Sequence, residues 1–470
     1  MDEYPKISMR IAIILLCAAL LGACASGKRT KNTDSAANRM ERTTERPTER
    51  AGDRPTDRPT ERPSTRPASE PAQTASQPAE SNWRVVSTKG RFLGKDSSTI
   101  RVYMSVMVRK GTEHATVDDF TSRFMYNYVI YPDYNSRERL GYGNIPLTAE
   151  SVIRESSPES GDVLTVFFDV KKPANAANGV MLNEITEIST GRKVLNDLPV
   201  RFKTVKLSDR FALFDPKTNL PQQHHFINAG DTVVIRDVNG AVTKSLHLYR
   251  YRHDFDPAQS PMNTTPRPSS KTLDIDSTMS VTTNQPFSLP AEGLYYFLED
   301  TAAASGIGLV VADNRFPKVT RPEKLVKPVL YVSTNTEING LNSATDFKKA
   351  LDRYWLTMMG GDQTLARGTI RAYYGRVEEA NRLFTTYKEG WKTDKGMIYI
   401  VLGPPDRVQR SRDREVWVYN QRANVSEINF TFNRKPNQFV EDHYELVRYV
   451  EYQPVWYPVV EAWRTGAIRE

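Results

Sequence analysis

Ile100-Arg101-Val102-Tyr103-Met104-Ser105-Val106-Met107-Val108 alternates with a period of two, the spacing that sets one row of side chains on one face of a strand. Val163-Leu164-Thr165-Val166-Phe167-Phe168-Asp169-Val170 reads as another apolar strand. Pro and Gly clusters separate such runs at turn-like intervals, and no long helical pattern lies between them. Residues 83–205 therefore read as a β-sandwich-like domain. Working outward, Thr232–Arg236, Lys244–Arg252, Gly293–Leu298 and Gly306–Ala312 are further strand candidates, and residues 206–326 read as a second sandwich-like domain. Pro257–Ser270, rich in Pro, Ser and Thr, reads as a long loop.

After about Lys327 the periodicity becomes helical. Ser343 is a candidate cap for a helix through Phe347, Leu351, Tyr354 and Trp355. Gly360-Gly361 breaks it. A second helix over about Thr369–Tyr387 sets Tyr373, Val377, Ala380, Phe384 and Tyr387 on one face. Gly390 suits a helix C-cap in the left-handed region. Thr393 and Asp394 suit a turn closed by Gly396. A strand is expected over Met397–Leu402, then a rigid turn at Gly403-Pro404-Pro405-Asp406. Further strands are expected over Glu415–Tyr419, Ile428–Phe432 and His443–Val450, with a short terminal helix over Val459–Arg464. Residues 327–470 thus read as an α+β domain, a helical pair on a small antiparallel sheet, and the fold class is mainly β.

Arg371-Ala372-Tyr373-Tyr374-Gly375-Arg376-Val377, Ala380-Asn381-Arg382-Leu383-Phe384, GWKTDKG at 390–396 and IYIVLGPPDRV at 398–408, followed by Trp417 and Tyr419, form an ordered set. This set resembles the GWxTD domain, a family of bacterial envelope proteins common in Bacteroidota and Acidobacteria. The resemblance implies an envelope setting and no particular reaction. The family's usual Arg-Asp-Pro stretch between the two helices is replaced here by Gly360-Gly361-Asp362-Gln363. The motif residues singled out are Gly390, Trp391, Thr393, Asp394, Gly403, Pro404, Pro405, Asp406 and Trp417. Trp391 reads as a plug between helix and sheet, and Thr393 and Asp394 as partners of turn amides. The alternative gives Asp394 and Asp406, both expected in turns beside one strand, the roles of paired carboxylates in glycoside hydrolysis, which needs them ~5–9 Å apart. The strand-turn-strand ending at Trp417-Val418-Tyr419 also loosely resembles the small lipoprotein of the outer-membrane barrel-assembly machine, which implies a docking role.

The N-terminus reads as an address. Lys6 and Arg10 precede an apolar stretch, Ile11–Leu21, which ends in Leu21-Gly22-Ala23-Cys24. That ending resembles the bacterial lipobox. The resemblance implies a signal peptide over 1–23, with palmitate-type acyl chains on Cys24 anchoring the mature chain to the membrane. The alternative is an ordinary signal peptide cut near Ala23. Ala25 after the cysteine, and the basic Lys28, Arg29 and Lys31 without an acid, resemble the pattern of an outer-membrane lipoprotein retained on the periplasmic side. Residues 24–82 then form a tether. Acidic–Arg pairs recur every fourth residue from Glu41-Arg42 to Glu61-Arg62, Pro and Thr fill much of the rest, and such a composition is expected to be disordered.

Composition narrows the chemistry. The 470 residues carry a formal charge of +8, too mild for a nucleic-acid-binding stripe, and no nucleic-acid partner is expected. The chain has two cysteines, Cys17 and Cys24. Lipidation would leave no free thiol in the mature chain, which excludes thiol catalysis and a thiolate zinc site. His224, His225, His247 and His253 fall in the second block without a third ligand at metal-site spacing, so no metal and no cofactor are expected. Gly306-Ile307-Gly308 lacks the third glycine and following helix of a dinucleotide loop and reads as strand glycine packed on a neighbour. GxSxG, P-loop and HExxH motifs are absent. The expectation is a non-enzymatic interaction module with an envelope-protein partner. Its rivals are a glycan-active hydrolase and a cell-wall glycan-binding protein.

Overall fold

The computed structural model describes residues 83–157, 161–265, 272–422 and 425–469, all within one unit, Ser76–Glu470. The signal peptide, Cys24 and the tether lie outside the described residues. The first block places β1 (Arg84–Gly94), β2 (Thr99–Lys110), β7 (Gly161–Lys171) and β6 (Val152–Ser157) in one sheet in that order, with β3 (Glu113–His114) on β2. The facing sheet runs β5 (Gly141–Ile145), β4 (Phe124–Tyr131), β8 (Asn178–Glu187), β9 (Lys193–Arg201). Ile100, Val102, Met104, Val106 and Val108 point inward against Tyr126, Ile130, Met181 and Ile185, so the period of two in β2 does select the buried face. Helix α1 (Val117–Arg123), capped by Thr116, closes one end through Phe120. Tyr103 and Phe167 face the other way and are covered by Phe214 and Leu220 of the next block.

That block begins after α2 (Leu207–Arg210). It pairs β10 (Ala212–Phe214), β12 (Thr232–Arg236) and β15 (Pro286–Ser288) in one sheet. The second sheet is β11 (Phe226–Asn228), β17 (Ile307–Ala312), β16 (Gly293–Leu298), β13 (Ser245–Tyr251), β14 (Ser277–Thr282). Only the β11–β17 pair within it is parallel. Leu213, Val233 and Ile235 pack against Leu246, Leu248, Phe297 and Leu309. Gly308 sits against the chain at Phe439. A Cβ there would come within 2.5 Å of the Phe439 carbonyl oxygen, which instead accepts the Gly308 N–H at 3.0 Å.

The last block holds α3 (Pro322–Leu325), α4 (Asn335–Asn342), α5 (Phe347–Met358), α6 (Gln363–Phe384), α7 (Asp394–Leu402) and α8 (Gln453–Arg464). Its antiparallel sheet orders β18 (Arg407–Arg410), β19 (Arg414–Arg422), β20 (Val425–Arg434) and β21 (Tyr444–Leu446). The molecule is thus mainly β with a helical C-terminal region.

Several local expectations are corrected. Met397–Leu402 is helix α7, not a strand. Every residue from Met397 to Leu402 is buried, and a short run apolar on all sides carries no period to separate helix from strand. Asp346 rather than Ser343 caps α5, accepting the Lys349 N–H at 3.0 Å; Ser343 ends α4. Helix α6 starts earlier, capped by Asp362, and stops at Phe384. Gly360 and Gly361 both take positive φ, 61° and 89°, which is why the break between α5 and α6 falls there. Helix α8 extends back to Gln453, with Pro454 in its first turn, where no N–H partner is needed.

Ion pairs join the blocks. Arg201 grips Glu441 with two bonds of 2.8 and 3.0 Å, and Lys206 adds a third at 2.8 Å. Arg410 reaches Asp197 at 3.2 Å, and His225 lies 3.3 Å from Asp442.

Candidate functional site

The motif is built around α7, the helix that sequence periodicity hides. Thr393 is its N-cap: the hydroxyl oxygen accepts the Gly396 N–H at 3.0 Å and donates its own proton to the Gly390 carbonyl at 2.7 Å. Asp394 takes the first helical position, where the helix dipole favours a negative charge. One of its oxygens accepts the Leu446 N–H at 2.7 Å, and the other takes Arg448 Nη2 at 2.6 Å. The carboxylate therefore ties the start of α7 to β21. At the other end, the Arg376 guanidinium lies 3.2 and 3.0 Å from the Ile400 and Val401 carbonyls and 4.8 Å from the Trp463 ring. A cation there meets the negative end of the helix.

Both glycines of the first turn are dictated by contact. A Cβ on Gly390 would stand 2.0 Å from the Ala380 carbonyl oxygen of α6, and one on Gly396 would stand 1.9 Å from the Gly390 carbonyl oxygen. Gly390 opens a short 3-10 turn, Gly390–Lys392; it is not the left-handed cap of α6. Its N–H donates to Thr385 Oγ1 at 2.9 Å, and the next N–H, of Trp391, donates to Asn381 Oδ1 at 3.0 Å. Asn381, fully buried, returns its own N–H to the Pro317 carbonyl at 3.0 Å.

Trp391 is 3% exposed in the core shared by the helices and the sheet. Its indole N–H donates to Glu389 at 2.8 Å, and its carbonyl accepts the Tyr331 hydroxyl at 2.8 Å. Lys392 bridges Glu389 and Asp254 of the second block. Burial raises the Asp254 pKa, but the bonds to Lys392 and Lys327 outweigh it and hold the carboxyl down at about 2. Trp417, 2% exposed, packs its ring on Phe384 and Phe432 and donates to Glu415 at 2.6 Å. Glu415 also meets Lys395 of α7 at 3.1 Å. Burial pushes its pKa up, yet Lys395 and Arg410 bring it below the ordinary value.

The second turn is nearer the surface. Gly403 takes φ 82° and gives its carbonyl to the Tyr419 hydroxyl at 2.8 Å. Pro404 and Asp406 are exposed and Pro405 half-buried. Asp406 accepts the Asn420 N–H at 2.7 Å and its N–H donates to the Val418 carbonyl at 3.0 Å, pinning the turn to β19. The structure therefore does not bring Asp394 and Asp406 together beside a strand. They flank opposite ends of a helix of nine residues, which at about 1.5 Å per residue separates them by roughly 13 Å along its axis.

Residues 293–465 carry a GWxTD domain. The match begins at β16, so it takes in two strands of the second block as well as the whole helical region. No curated protein matches the chain. Among solved structures, the mouse nectin-like molecule 4 ectodomain is similar at 9% identity and a TM-score of 0.14, over 50% of this chain. The similarity spans 65% of that ectodomain's length and carries no argument at that score.

Asn381, Arg376 and Arg448 have no assigned role in the sequence reading, yet they hold the GWxTD motif at both ends. The first two lie in stretches that carry the family resemblance; Arg448 pairs with Asp394 across 54 positions, which no local pattern announces. A cleft of about 450 Å³ opens beside Thr393 and Asp394, bounded by Tyr387, His443 and Arg448. Among the described residues no group of three His, Cys, Asp or Glu side chains is placed to hold a metal ion.

Proposed function

We propose that this chain is a non-enzymatic lipoprotein of the outer membrane. Acyl chains on Cys24 anchor it, it faces the periplasm, and its sandwiches and GWxTD domain serve as an interaction module in an envelope or protein-secretion assembly. What carries the reading is the engagement of the motif. The Thr393 hydroxyl and both Asp394 oxygens bond to the frame around α7, so the most distinctive polar groups position a surface. The Leu-Gly-Ala-Cys ending at Cys24 and the basic residues after it support the membrane side and leaflet. The glycan-hydrolase alternative draws on the cleft beside Asp394, but α7 stands between the two carboxylates it needs.

The test uses the full chain in its own cells. Cys24→Ala is expected to release the protein from the outer membrane or leave it as precursor, and protease added to intact cells is expected to spare the wild type. Solubilised in mild detergent, the wild type is expected to migrate in an assembly larger than itself. A monomer that shortens isolated cell-wall glycan would replace this reading with the hydrolase.

A further inference from the structure

A cleft of about 670 Å³ lies away from the GWxTD motif. Its floor is the outward face of the β1-β2-β7-β6 sheet, on the strip that Phe214 and Leu220 leave uncovered. Its walls are the turn around Asp215–Thr218, the chain at Gly230–Val233, and Arg382 and Leu383 at the end of α6. All three blocks contribute.

The floor carries a cross-strand row. Lys89 on β1 stands opposite Ser105 on β2, and Ser105 stands opposite Thr165 on β7. The Thr165 hydroxyl donates to Glu155 Oε2 on β6 at 2.6 Å, so the Ser105 hydroxyl, 2.8 Å from it, donates to Thr165. The row thus runs from an ammonium, through two hydroxyls, to a carboxylate. Glu155 stands opposite Val163, and its side chain reaches back diagonally to the Thr165 hydroxyl; the β1 and β6 backbones at the two ends are three strand spacings, about 14 Å, apart.

Burial raises the Glu155 carboxyl, its bond from Thr165 pulls it back down, and the Asp215 charge adds a smaller upward push. Most of the other charges at the cleft are held within their own elements. Asp215 accepts the Lys217 N–H and Asp231 accepts the Asn228 N–H, each within its own turn. Arg382 bonds Glu378 at 2.8 Å, and Lys217 is exposed at the rim. His224 donates from Nδ1 to the Phe226 carbonyl; burial and then the Lys89 charge hold its pKa down to about 3, so it is neutral. Burial lowers Lys89 to about 8 against the pull of Asp442, leaving it mostly protonated at pH 7. Among the described residues no carboxylate forms an ion pair with it.

We propose that this cleft binds a short linear peptide with free ends, three to four residues long. Its C-terminal carboxylate sits at Lys89, its N-terminal ammonium at Glu155, and its backbone passes over Ser105, while Thr165, fully buried beneath, holds Glu155 in place. An extended peptide of that length spans about 10–14 Å, which fits within the distance between the two outer strands. Opposite charges at the two ends disfavour a dicarboxylate and a polyamine. Among the described residues no Trp, Tyr or Phe lines the cleft to offer a sugar ring a stacking face.

Calorimetric titration of the full chain in detergent with tetra-alanine, its N-acetyl form and its C-terminal amide tests this. Tetra-alanine is expected to bind, and each capped form about tenfold more weakly, the equivalent of ~1.4 kcal/mol per lost ion pair. In Lys89→Gln the amide and the free acid are expected to bind equally. In Glu155→Gln the acetylated and free forms are expected to bind equally. The comparison of capped peptides on the unaltered protein stands whether or not the variants fold. Absence of heat for all three peptides at about 10 mM would overturn the proposal, as would equal affinity for them on the wild type. Tighter binding of an uncharged oligosaccharide would also overturn it.

Discussion

Gly390→Ala is the sharpest perturbation of the GWxTD motif. The added methyl would stand 2.0 Å from the Ala380 carbonyl oxygen and 2.7 Å from the Asn381 Cα. Carbon–oxygen contacts even in weak hydrogen bonds sit near 3.3–3.6 Å, so the turn and α6 must part by more than 1 Å, on the order of the clash itself. Relief cannot come from a rotamer, because both sides are backbone. Overpacking of a tight core costs about 1–3 kcal/mol. Parting the turn also strains the Gly390–Thr385 and Trp391–Asn381 bonds, 2.9 and 3.0 Å long, each worth about 1 kcal/mol. The total is about 3–5 kcal/mol against a net stability of roughly 5–15. For a domain of this size, melting falls by about 2–4 °C per kcal/mol, so a drop on the order of 10 °C is expected. Near-UV circular dichroism during a thermal ramp reads it. Gly340→Ala in α4 is the control: nothing lies within 4 Å of the added methyl, and the helix is expected to gain about 0.5–1 kcal/mol. A Gly390→Ala protein melting within about 2 °C of wild type would refute the close-approach argument.

Asn381→Ala leaves the buried Trp391 N–H and Pro317 carbonyl without partners, and urea unfolding is expected to show a loss of about 2–4 kcal/mol. Glu337 caps α4 and pairs with Arg464 of α8; the Arg464 bond, offset in part by burial, lowers its carboxyl from 4.5 to about 2. A depressed carboxyl stabilises fully above its unfolded value and loses that contribution as pH falls. Wild-type melting is therefore expected to drop between about pH 4.5 and 2, and Glu337→Gln, measured over the same range, is expected to flatten that part of the slope.

The strands of both sandwiches were legible for two reasons: one covered face imprints a period of two on β2 and β13, while β7 and β16 are short apolar runs between turn signals, β16 being buried on both faces. The same rule hid α7. Buried on every side, Met397–Leu402 shows no period, and placing a strand there put Asp394 and Asp406 in one neighbourhood that the helix divides. Ser343 and Asp346 are both good caps three residues apart, and only the folded chain shows which N–H groups were left to satisfy. Trp391 and Trp417 announce themselves as large apolar groups between helix and sheet. Asn381 does not, because an amide on a helix has the same appearance in sequence whether it faces water or grips a turn ten residues on. The row from Lys89 to Glu155 joins the β1-β2 pair to the β6-β7 pair further along the chain, and its lysine, serine, threonine and glutamate are unremarkable in their own runs.

In the proposed reading, Thr393 and Asp394 serve the frame and the surface around them serves the function. Thermal melts and complementation of a deletion strain by Asp394→Asn and Asp406→Asn, side by side, test it most directly. Asp394→Asn weakens a charge-assisted bond to Arg448 worth about 1.5–3 kcal/mol. Its cellular activity is expected to fall only as far as its folded fraction falls, while exposed Asp406→Asn stays near wild type in both measurements. Two variants that melt like the wild type yet fail to complement at all would contradict the account and make the carboxylates catalytic.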